Sequence, residues 1–325
     1  MASQNRDKLL ALFSKHVDQF VSGEEIAQQL GISRAAIWKH MENLRKEGFQ
    51  IEAVRNKGYR LEKFGTLFSK DSLLLGLETE FIGRTLYFYE EVASTQLIAH
   101  EKVNNGAPEG TAIVADFQNA GKGRLKRDWL SSRGEGIFTS VILKPDIPIM
   151  EVPQFTFIAS LAVSEAVQKL TGLAARIKWP NDIYIGKRKI CGVLTEMQAE
   201  AETIHAVIIG IGINVNQAAF PEDLKQKATS LRIEAGQVFS RTEIIQEIFK
   251  QLEKYYKLYL EQGFAPIKLL WEEQAIPFSK RIRVSTLKGI ITGKAEGISD
   301  TGVLFVRDDE GVQHAIYSAD IEFEN

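Results

Sequence analysis

The apolar residues of the first 63 positions recur at helical spacing in three successive segments. Residues 22–25 have the form of a capping box that opens the second segment, Gly31 ends it, and Ser33 can cap the third. The pattern therefore predicts three short helices, with a tight turn between the last two. Their inward-facing side chains are Leu9, Leu12, Phe13, Ile26, Ala27, Leu30, Ile37, Met41 and Leu44.

A strand-like hairpin follows the third predicted helix. Residues 49–54 alternate between apolar and polar types, residues 56–58 predict a turn, and residues 59–61 predict the returning strand. A glycine-containing turn between two helices, with a basic helix face and a basic hairpin, indicates a winged helix-turn-helix domain that binds DNA. The candidate DNA contacts are Ser33, Arg34, Ala35, Trp38, Lys39, Arg55 and Lys57.

Charge supports DNA binding only weakly. Residues 1–63 hold 11 Lys and Arg against 8 Asp and Glu, whereas the whole chain has a net charge of −2. The alternative is a three-helix module that binds another protein. The order of cap, turn, basic helix and basic hairpin favours DNA over that alternative.

Strand-like and helical runs alternate from a short link at residues 64–69 to about residue 265, which predicts a mixed sheet with helices. The predicted strands cover residues 85–89, 111–117, 137–143, 176–178, 183–185, 190–197 and 206–213, and the predicted helices cover residues 154–170 and 242–262. Beyond about residue 270, strand-like runs at 281–286, 289–298, 302–307 and 312–317 are separated by turns at 287–289, 299–302 and 308–311. These runs predict a small β domain.

Candidate chemistry is concentrated in a loop at residues 118–129, directly after a predicted strand. Gly121 and Gly123 let backbone amides approach a ligand closely, and the cations of the loop add positive potential. These cations are Lys122, Arg124, Lys126 and Arg127. The loop suits a substrate that carries a carboxylate and phosphates, although composition alone leaves a solvated basic loop equally open. Its spacing is not that of a P-loop.

Two further motifs lie between predicted strands. The segment 178–182 places Asn181 and Asp182 at a strand end, where ligands are usually bound. The segment 210–216 has two glycines of a Rossmann turn, but it lacks the third glycine and the following helix. That pattern excludes a Rossmann site here.

The order of these motifs resembles that of the bifunctional biotin–protein ligase and biotin operon repressor family. The shared motifs are Ser94-Thr95-Gln96, the loop at 118–129, the segment 178–182, Lys189 and the segment 210–216, and the resemblance covers essentially the whole chain. It implies an α+β multidomain fold. The implied domains are a winged helix-turn-helix over residues 1–65, a class II synthetase-like mixed α/β catalytic domain over 66–270 and an SH3-like small β-barrel over 271–325.

The resemblance implies an ATP-dependent, AMP-forming biotin–protein ligase. Such an enzyme forms biotinoyl-5'-AMP and passes biotin to a lysine of the biotin carboxyl carrier protein of acetyl-CoA carboxylase or a similar carboxylase. It implies Lys189, Arg124 and Asp182 as catalytic residues. The implied biotin and adenylate contacts are Ser94, Thr95, Gln96, Gln118, Gly121, Lys122, Gly123, Arg124, Lys189, Gly192 and Asn214.

Ligands and partners follow from the same resemblance. No permanently bound cofactor is expected, and Mg²⁺ accompanies ATP, with Asn181 and Asp182 as candidate ligands. Biotinoyl-5'-AMP is also expected to act as corepressor by promoting a homodimer on operator DNA. The small C-terminal domain is expected to close over ATP and to help seat the acceptor protein, the alternative being a passive stabilising cap.

The proposed chemistry agrees with the residue types. Biotin's carboxylate must approach the α-phosphate of ATP, and Lys122, Arg124 and Lys189 would offset the repulsion of these two anions. The family usually has Arg where this chain has Lys122, which keeps the charge but not the bidentate fork. The affinity for the adenylate is the property that this departure leaves open.

Two other functions fit parts of the pattern. A lipoate–protein ligase would share the architecture and the adenylate chemistry, but the loop and the segment 178–182 together favour biotin. A repressor whose second domain only senses a ligand would need no cation at a reacting centre, so Lys189 argues against it.

Composition narrows the classes of protein further. No apolar run approaches the roughly 20 residues of a membrane span, and the N-terminus lacks the features of a signal peptide. One cysteine and five scattered histidines give neither a disulfide framework nor zinc-ligand spacing, so we expect a cytoplasmic protein without membrane partners. Cys191 is expected to be a small buried residue and Trp179 a core residue, whereas ligand stacking and packing stay equally open for Trp129.

Overall fold

A computed structural model of the protein describes residues 2–16, 19–61, 68–201, 203–277, 281–286 and 289–323. The predicted link at residues 64–67, the turn residues 287 and 288 and the side chain of Lys126 lie outside the described residues. The chain divides into two compact units, residues 1–80 with 240–247 and residues 81–239 with 248–325. Among the described residues, no helix is both long and apolar enough to cross a membrane.

The first unit contains the predicted three helices and hairpin. Its elements are α1 (Ala2–Lys15), β1 (Phe20–Val21), α2 (Gly23–Leu30), α3 (Arg34–Lys46), β2 (Ile51–Val54), β3 (Gly58–Leu61) and α4 (Lys70–Leu74). Ser22 and Ser33 cap α2 and α3 as predicted, their side chains accepting hydrogen bonds from Glu25 N and Ala36 N. Gly31 ends α2 in the left-handed conformation at φ 66°.

The predicted core stripe of the first unit is confirmed. Its members are buried, except that Ala27 is partly buried against the same cluster. Two elements were not predicted, the short strand β1, which pairs with β3, and helix α4. Leu75, directly after α4, is 4% exposed and belongs to the same core, so this segment completes the unit.

A seven-stranded mixed sheet, in the order β4-β5-β6-β10-β9-β8-β7, is the framework of the second unit within the described residues. Strands β4 and β5 are parallel, and the other pairs are antiparallel. The strands are β4 (Leu86–Tyr89), β5 (Ala112–Ala115), β6 (Gly136–Leu143), β7 (Ala175–Lys178), β8 (Asp182–Ile185), β9 (Arg188–Glu200) and β10 (Thr203–Asn214). The predicted strands are thus confirmed, and β9 and β10 extend beyond their predicted ends.

Several helices alternate with these strands or follow them along the chain, and some of the helices were not predicted. The helices are α5 (Thr95–Asn104), α6 (Gln154–Thr171), α7 (Leu231–Ala235), α8 (Arg241–Gln262) and α9 (Phe264–Gln274). Helices α6 and α8 confirm the two predicted helices. Helix α5 was missed because its sequence has no continuous apolar stripe, with Leu97 61% exposed beside the buried Ala99. It packs on β6 and β10 and thereby carries Thr95 and Gln96 to the sheet.

The C-terminal residues form the predicted small β domain. In the described part, its sheet has the order β14-β13-β12-β11-β15 and is antiparallel throughout. The strands are β11 (Arg281–Thr286), β12 (Gly289–Ile298), β13 (Leu304–Asp308), β14 (Gln313–Ile316) and β15 (Asp320–Phe323), of which β15 was not predicted. Trp179 Nε1 donates a hydrogen bond to Gly302 O at 3.1 Å, which ties this domain to the turn between β7 and β8.

Candidate functional site

Glycines on one face of β9 and β10 make room for side chains that line a cavity of about 250 Å³. Gly212 pairs with Gly192, and Gly210 pairs with Leu194, so these positions share one side of the sheet. A Cβ atom on Gly212 would lie 2.7 Å from Trp129 Cε2, and one on Gly210 would lie 2.9 Å from Gln96 Cδ. The missing side chains therefore let Trp129 and Gln96 lie directly on the sheet.

Amide and hydroxyl groups lie together at the N-terminus of α5. Gln118 Oε1 accepts hydrogen bonds from Thr95 N at 2.7 Å and from Thr95 Oγ1 at 3.2 Å. Ser140 Oγ donates to Thr95 Oγ1 at 2.8 Å. Ser94 precedes α5 without capping it through its side chain, so its hydroxyl is available to a ligand. This group can recognise a small polar ring.

Cations surround another part of the cavity. Lys189 Nζ lies 2.7 Å from Asp182 Oδ1 and 5.3 Å from the centre of the Trp129 ring. Lys122 forms an ion pair with Asp128 of the same loop. Arg124 Nη1 donates a hydrogen bond to Asn181 Oδ1 at 2.9 Å. The arrangement suits an anionic ligand, whose oxygens would replace or share the present acceptors.

Arg124 also links the cavity to the small β domain. Its Nη2 donates to Ser318 Oγ at 2.6 Å, and Arg127 forms an ion pair with Asp320, which lines the cavity. Burial lowers the pKa of Arg124, and the nearby Asp182 carboxylate opposes that shift. An arginine guanidinium group is not deprotonated in proteins, so Arg124 remains a cation beside the cavity.

The structure brings the predicted ligand contacts together around one cavity. Its lining includes Ser94, Thr95, Gln96, Gln118, Lys122, Gly123, Arg124, Asn181, Asp182, Lys189, Gly192 and Asn214. Gly121 is not part of this lining, and a Cβ atom there would meet Gln118 Nε2 at 2.9 Å. Its missing side chain therefore leaves room for the amide of Gln118, which does line the cavity.

Several lining residues were missed by sequence reasoning. They are Asp128, Leu130, Val193, Leu194, Ile211, Phe220, Leu224, Lys227, Ala228 and Asp320. The segment with Lys227 and Ala228 reaches the site through the backbone, since Lys189 N donates to Lys227 O at 2.9 Å. No local motif marks these positions, although the alternation of β9 could have assigned Leu194 to the same face as Gly192.

Trp129, Trp179 and Cys191 have different surroundings. Trp129 lines the cavity, and its buried Nε1 has no hydrogen-bond partner among the described residues. Trp179 is 3% exposed, which confirms core packing. Cys191 is fully buried, and burial raises the pKa of its thiol, as expected of a small packed residue.

The candidate DNA contacts lie on the surface of the first unit. Arg34, Ala35, Lys39, Arg55 and Lys57 are exposed, and the Trp38 side chain is 59% exposed. Ser33 is the cap of α3. A groove between the start of α3 and the β2–β3 hairpin is lined by Arg34, Arg55 and Lys57 among others.

Two other cations of this unit already have partners within it. Arg45 Nη2 donates to Ile51 O at 2.9 Å, and Arg60 Nη2 lies 2.5 Å from Glu52 Oε2. Both therefore stabilise the hairpin and are less available to phosphates than Arg55 and Lys57.

The described residues contain no group of three or more His, Cys, Asp and Glu side chains that could hold a metal ion. Asn181 uses both ends of its amide within the protein, since its Nδ2 donates to Val193 O at 2.8 Å and its Oδ1 accepts from Arg124. Asp182 is paired with Lys189.

Family models match three successive parts of the chain. Residues 5–60 match an HTH domain, residues 88–214 match the biotin/lipoate A/B protein ligase family, and residues 280–324 match the biotin protein ligase C terminal domain. The matches follow the order of the elements described above.

Individual proteins are similar over nearly the whole length. The bifunctional ligase/repressor BirA of Bacillus subtilis (strain 168) is 49% identical over 324 residues, 99% of each chain. The protein of the same name from Escherichia coli (strain K12) is 28% identical over 93% of this chain and 92% of its own. The structure of biotin protein ligase from Aquifex aeolicus in complex with biotin and ATP matches with a TM-score of 0.65 and 32% identity, over 74% of this chain and 100% of its own.

Proposed function

The chain belongs to the family of BirA-type bifunctional ligase/repressors, and on that premise we propose that its cavity binds biotin and ATP and forms biotinoyl-5'-AMP. The observation that carries the proposal is the composition of the cavity. Amide and hydroxyl groups of Thr95, Gln96 and Gln118 occupy one part, and the cations Lys122, Arg124 and Lys189 occupy another. Biotin has the matching groups, a ureido ring and a carboxylate.

In the first step, a carboxylate oxygen of biotin attacks the α-phosphorus of ATP, and the bond to pyrophosphate breaks. Lys122, Arg124 and Lys189 would screen the repulsion between the two anions and stabilise the charge that builds up on the phosphoryl oxygens. Asp182 holds the Lys189 ammonium group at 2.7 Å, which fixes its position before the substrates arrive. No general base is needed because the carboxylate is already ionised.

In the second step, a lysine amine of a carrier domain attacks the acyl carbon of the adenylate, and AMP leaves. The homologues imply a biotin carboxyl carrier protein as acceptor, and we take the carrier of a biotin-dependent carboxylase, such as acetyl-CoA carboxylase, as the partner. Three carboxylates line the cavity, those of Asp128, Asp182 and Asp320, and we assign Asp182 to accept a hydrogen bond from the incoming amine. Arg124 donates a hydrogen bond to Ser318, and Arg127 forms an ion pair with Asp320. These contacts support a role of the small β domain in closing the part of the cavity that would bind ATP.

Mg²⁺ would enter with ATP as part of that substrate. Asn181 and Asp182 were the candidate protein ligands, but both are engaged, with Arg124 and Lys189 respectively. Mg²⁺ usually keeps several waters and binds substrate phosphates, so these two side chains would supplement the phosphate ligands and would not form a protein cage.

Regulation would use the same intermediate. In this proposal biotinoyl-5'-AMP is the corepressor and promotes a homodimer that binds operator DNA through two winged helices. The loop at 118–133 supports it, because an anionic ligand would compete with Asp128 and Asp320 for Lys122 and Arg127. A rearranged loop could then bury its exposed apolar side chains between subunits. These are Leu125 at 70% and Leu130 at 45% exposure.

Domain limits and cellular location are part of the proposal. We take residues 1–65, 66–270 and 271–325 as winged helix, catalytic domain and C-terminal domain. A cytoplasmic location is supported by the buried Cys191, which is the one cysteine of the sequence, and by the need to reach DNA.

Biotin-dependent exchange of labelled pyrophosphate into ATP tests the enzymatic proposal. Wild-type protein should show exchange with biotin and not with lipoate. Lys189→Ala should slow it by on the order of a hundredfold or more, the usual scale for removing one charge-stabilising group. Lys144→Ala, on an exposed lysine away from the cavity, is the matched control. Exchange that responds to lipoate alone would refute the assignment, and a near-normal rate for Lys189→Ala would remove that residue from the chemistry.

A further inference from the structure

A cluster of polar side chains joins α5 to β9 next to the cavity. Gln96 and His100 are four residues apart on α5, so they share a helix face. Glu196 and Gln198 are two residues apart on β9, so they share a sheet face. The adenylation chemistry does not use Glu196, His100 or Gln198.

Short contacts connect the members of this cluster. Gln96 Nε2 donates a hydrogen bond to Glu196 Oε2 at 3.0 Å. His100 Nε2 lies 3.1 Å from the same carboxylate oxygen. Gln198 Nε2 in turn donates to His100 O at 3.0 Å. His100 thus holds the Glu196 carboxylate, and the same carboxylate oxygen accepts the hydrogen bond from Gln96.

These contacts fix which way the Gln96 amide points. A carboxylate and a backbone carbonyl can only accept hydrogen bonds, and the neighbours of Gln96 Nε2 are Glu196 Oε2 and, at 3.4 Å, Leu194 O. The NH₂ group must therefore face both, and the carbonyl oxygen must point elsewhere. That oxygen is buried, lies 2.9 Å from the Cβ position of Gly210 on the cavity wall, and accepts no hydrogen bond from any described residue.

Gln118 has the opposite orientation. Its Oε1 accepts from Thr95 N at 2.7 Å, and a backbone N–H can only donate, so the amide cannot be reversed. Its NH₂ group is the end that stays available, since it donates no hydrogen bond to any of the described residues. The cavity consequently offers an acceptor from Gln96 and donors from Gln118, the complement of a ring that has both N–H and C=O groups.

We infer that Glu196 is a positioning residue, which turns the carbonyl oxygen of Gln96 toward an N–H group of the ureido ring. The inference rests on the proposed binding of biotin. It also gives a physical basis for rejecting lipoate, because a dithiolane ring has no N–H group. Such a ring would leave the buried Gln96 oxygen without a partner, and sites of this kind discriminate strongly against analogues that lack the polar group.

A double-mutant cycle in the full-length protein tests the inference. The KM values for biotin and for ATP are measured by pyrophosphate exchange in wild type, Gln96→Ala, Glu196→Ala and the double variant. Glu196→Ala should raise the KM for biotin by on the order of tenfold, because the Gln96 amide can then rotate. The KM for ATP should stay unchanged, and the double variant should lose no more than Gln96→Ala alone.

Two further variants separate orientation from general structure. Glu196→Gln should restore most of the biotin KM, since its amide oxygen still accepts from Gln96. Glu200→Ala, on the same strand and with an 87% exposed side chain, should resemble wild type. If Glu196→Ala does not fold, Glu196→Met keeps the bulk without a comparable acceptor and takes its place.

The outcomes are distinct from a failure of the proposed function. Additive losses in the cycle, or equal increases in the KM values for biotin and ATP, would overturn the positioning role while leaving a biotin-dependent enzyme. Wild-type protein without biotin-dependent exchange would instead refute the proposed function itself.

Discussion

The absence of a Cβ atom at three glycines shapes the ligand cavity. Gly192, Gly210 and Gly212 have no Cβ atom on the sheet face where Trp129 and Gln96 lie. The motif at 210–216 could be recognised in the sequence, but its purpose could not. The reason is that the two side chains that need the space come from positions about 80 and 115 residues earlier in the chain. The separation of two residues along the sequence does not show whether they approach each other in the folded protein.

Gly212→Ala should impair ligand binding while preserving the fold. The added methyl group would lie 2.7 Å from Trp129 Cε2 and would force the indole away from the sheet. We expect the KM values for biotin and ATP to rise by about tenfold or more, on the scale of core overpacking. Steady-state exchange and thermal unfolding should be measured together. Gly23→Ala, whose Cβ would meet its nearest neighbour at an ordinary 3.9 Å, is the control, and normal KM values for Gly212→Ala would show that Trp129 can move freely.

Elements with a clear apolar stripe were predictable, whereas elements defined by a few contacts were not. Helix α3 has Ile37, Met41 and Leu44 at helical spacing, and each is at most 1% exposed. Helix α5 has no such stripe, and β15 is a four-residue strand recognised only by its pairing with β11. Both missed elements bring residues to the cavity, Gln96 from α5 and Asp320 from β15. The sequence therefore predicted the motifs of the site but not the elements that complete it.

The hairpin of the first unit should bind phosphates through Arg55 and Lys57. Alanine at either position should weaken binding to duplex DNA of random sequence and lower the slope of log K against log salt by about 0.9 for each phosphate that the protein no longer neutralises. Fluorescence anisotropy over a salt series measures this slope. Arg60→Ala is the comparison, because Arg60 is already paired with Glu52. A slope that changes for Arg60→Ala but not for Lys57→Ala would reverse the assignment.

At the scale of the whole molecule, the proposed repressor activity needs two copies of the chain. One winged helix has few available cations, so a single half-site gives modest and salt-sensitive affinity. Two winged helices held together would read a palindromic site with much greater affinity and specificity. If the adenylate favours the dimer, the dimer must favour the adenylate by the same factor.

Sedimentation velocity with and without biotin plus ATP tests this coupling. We expect a shift from monomer toward dimer when both ligands are present, and tighter operator binding over the same range of concentrations. Lys189→Ala, which should form adenylate slowly, is expected to delay the shift. An association state and a DNA affinity that ignore the ligands would refute the corepressor mechanism and leave the ligase activity intact.

The positions of the four tryptophans give the protein two optical reporters. Trp179 and Trp271 are 3% and 0% exposed, so their emission should stay constant as ligands bind. Trp129 lies against the floor of the cavity, and Trp38 lies on the proposed DNA face with 59% exposure. Substrate should therefore alter the fluorescence of the first and DNA that of the second. With Trp38→Phe, ligand occupancy could be followed in the presence of DNA without any added dye.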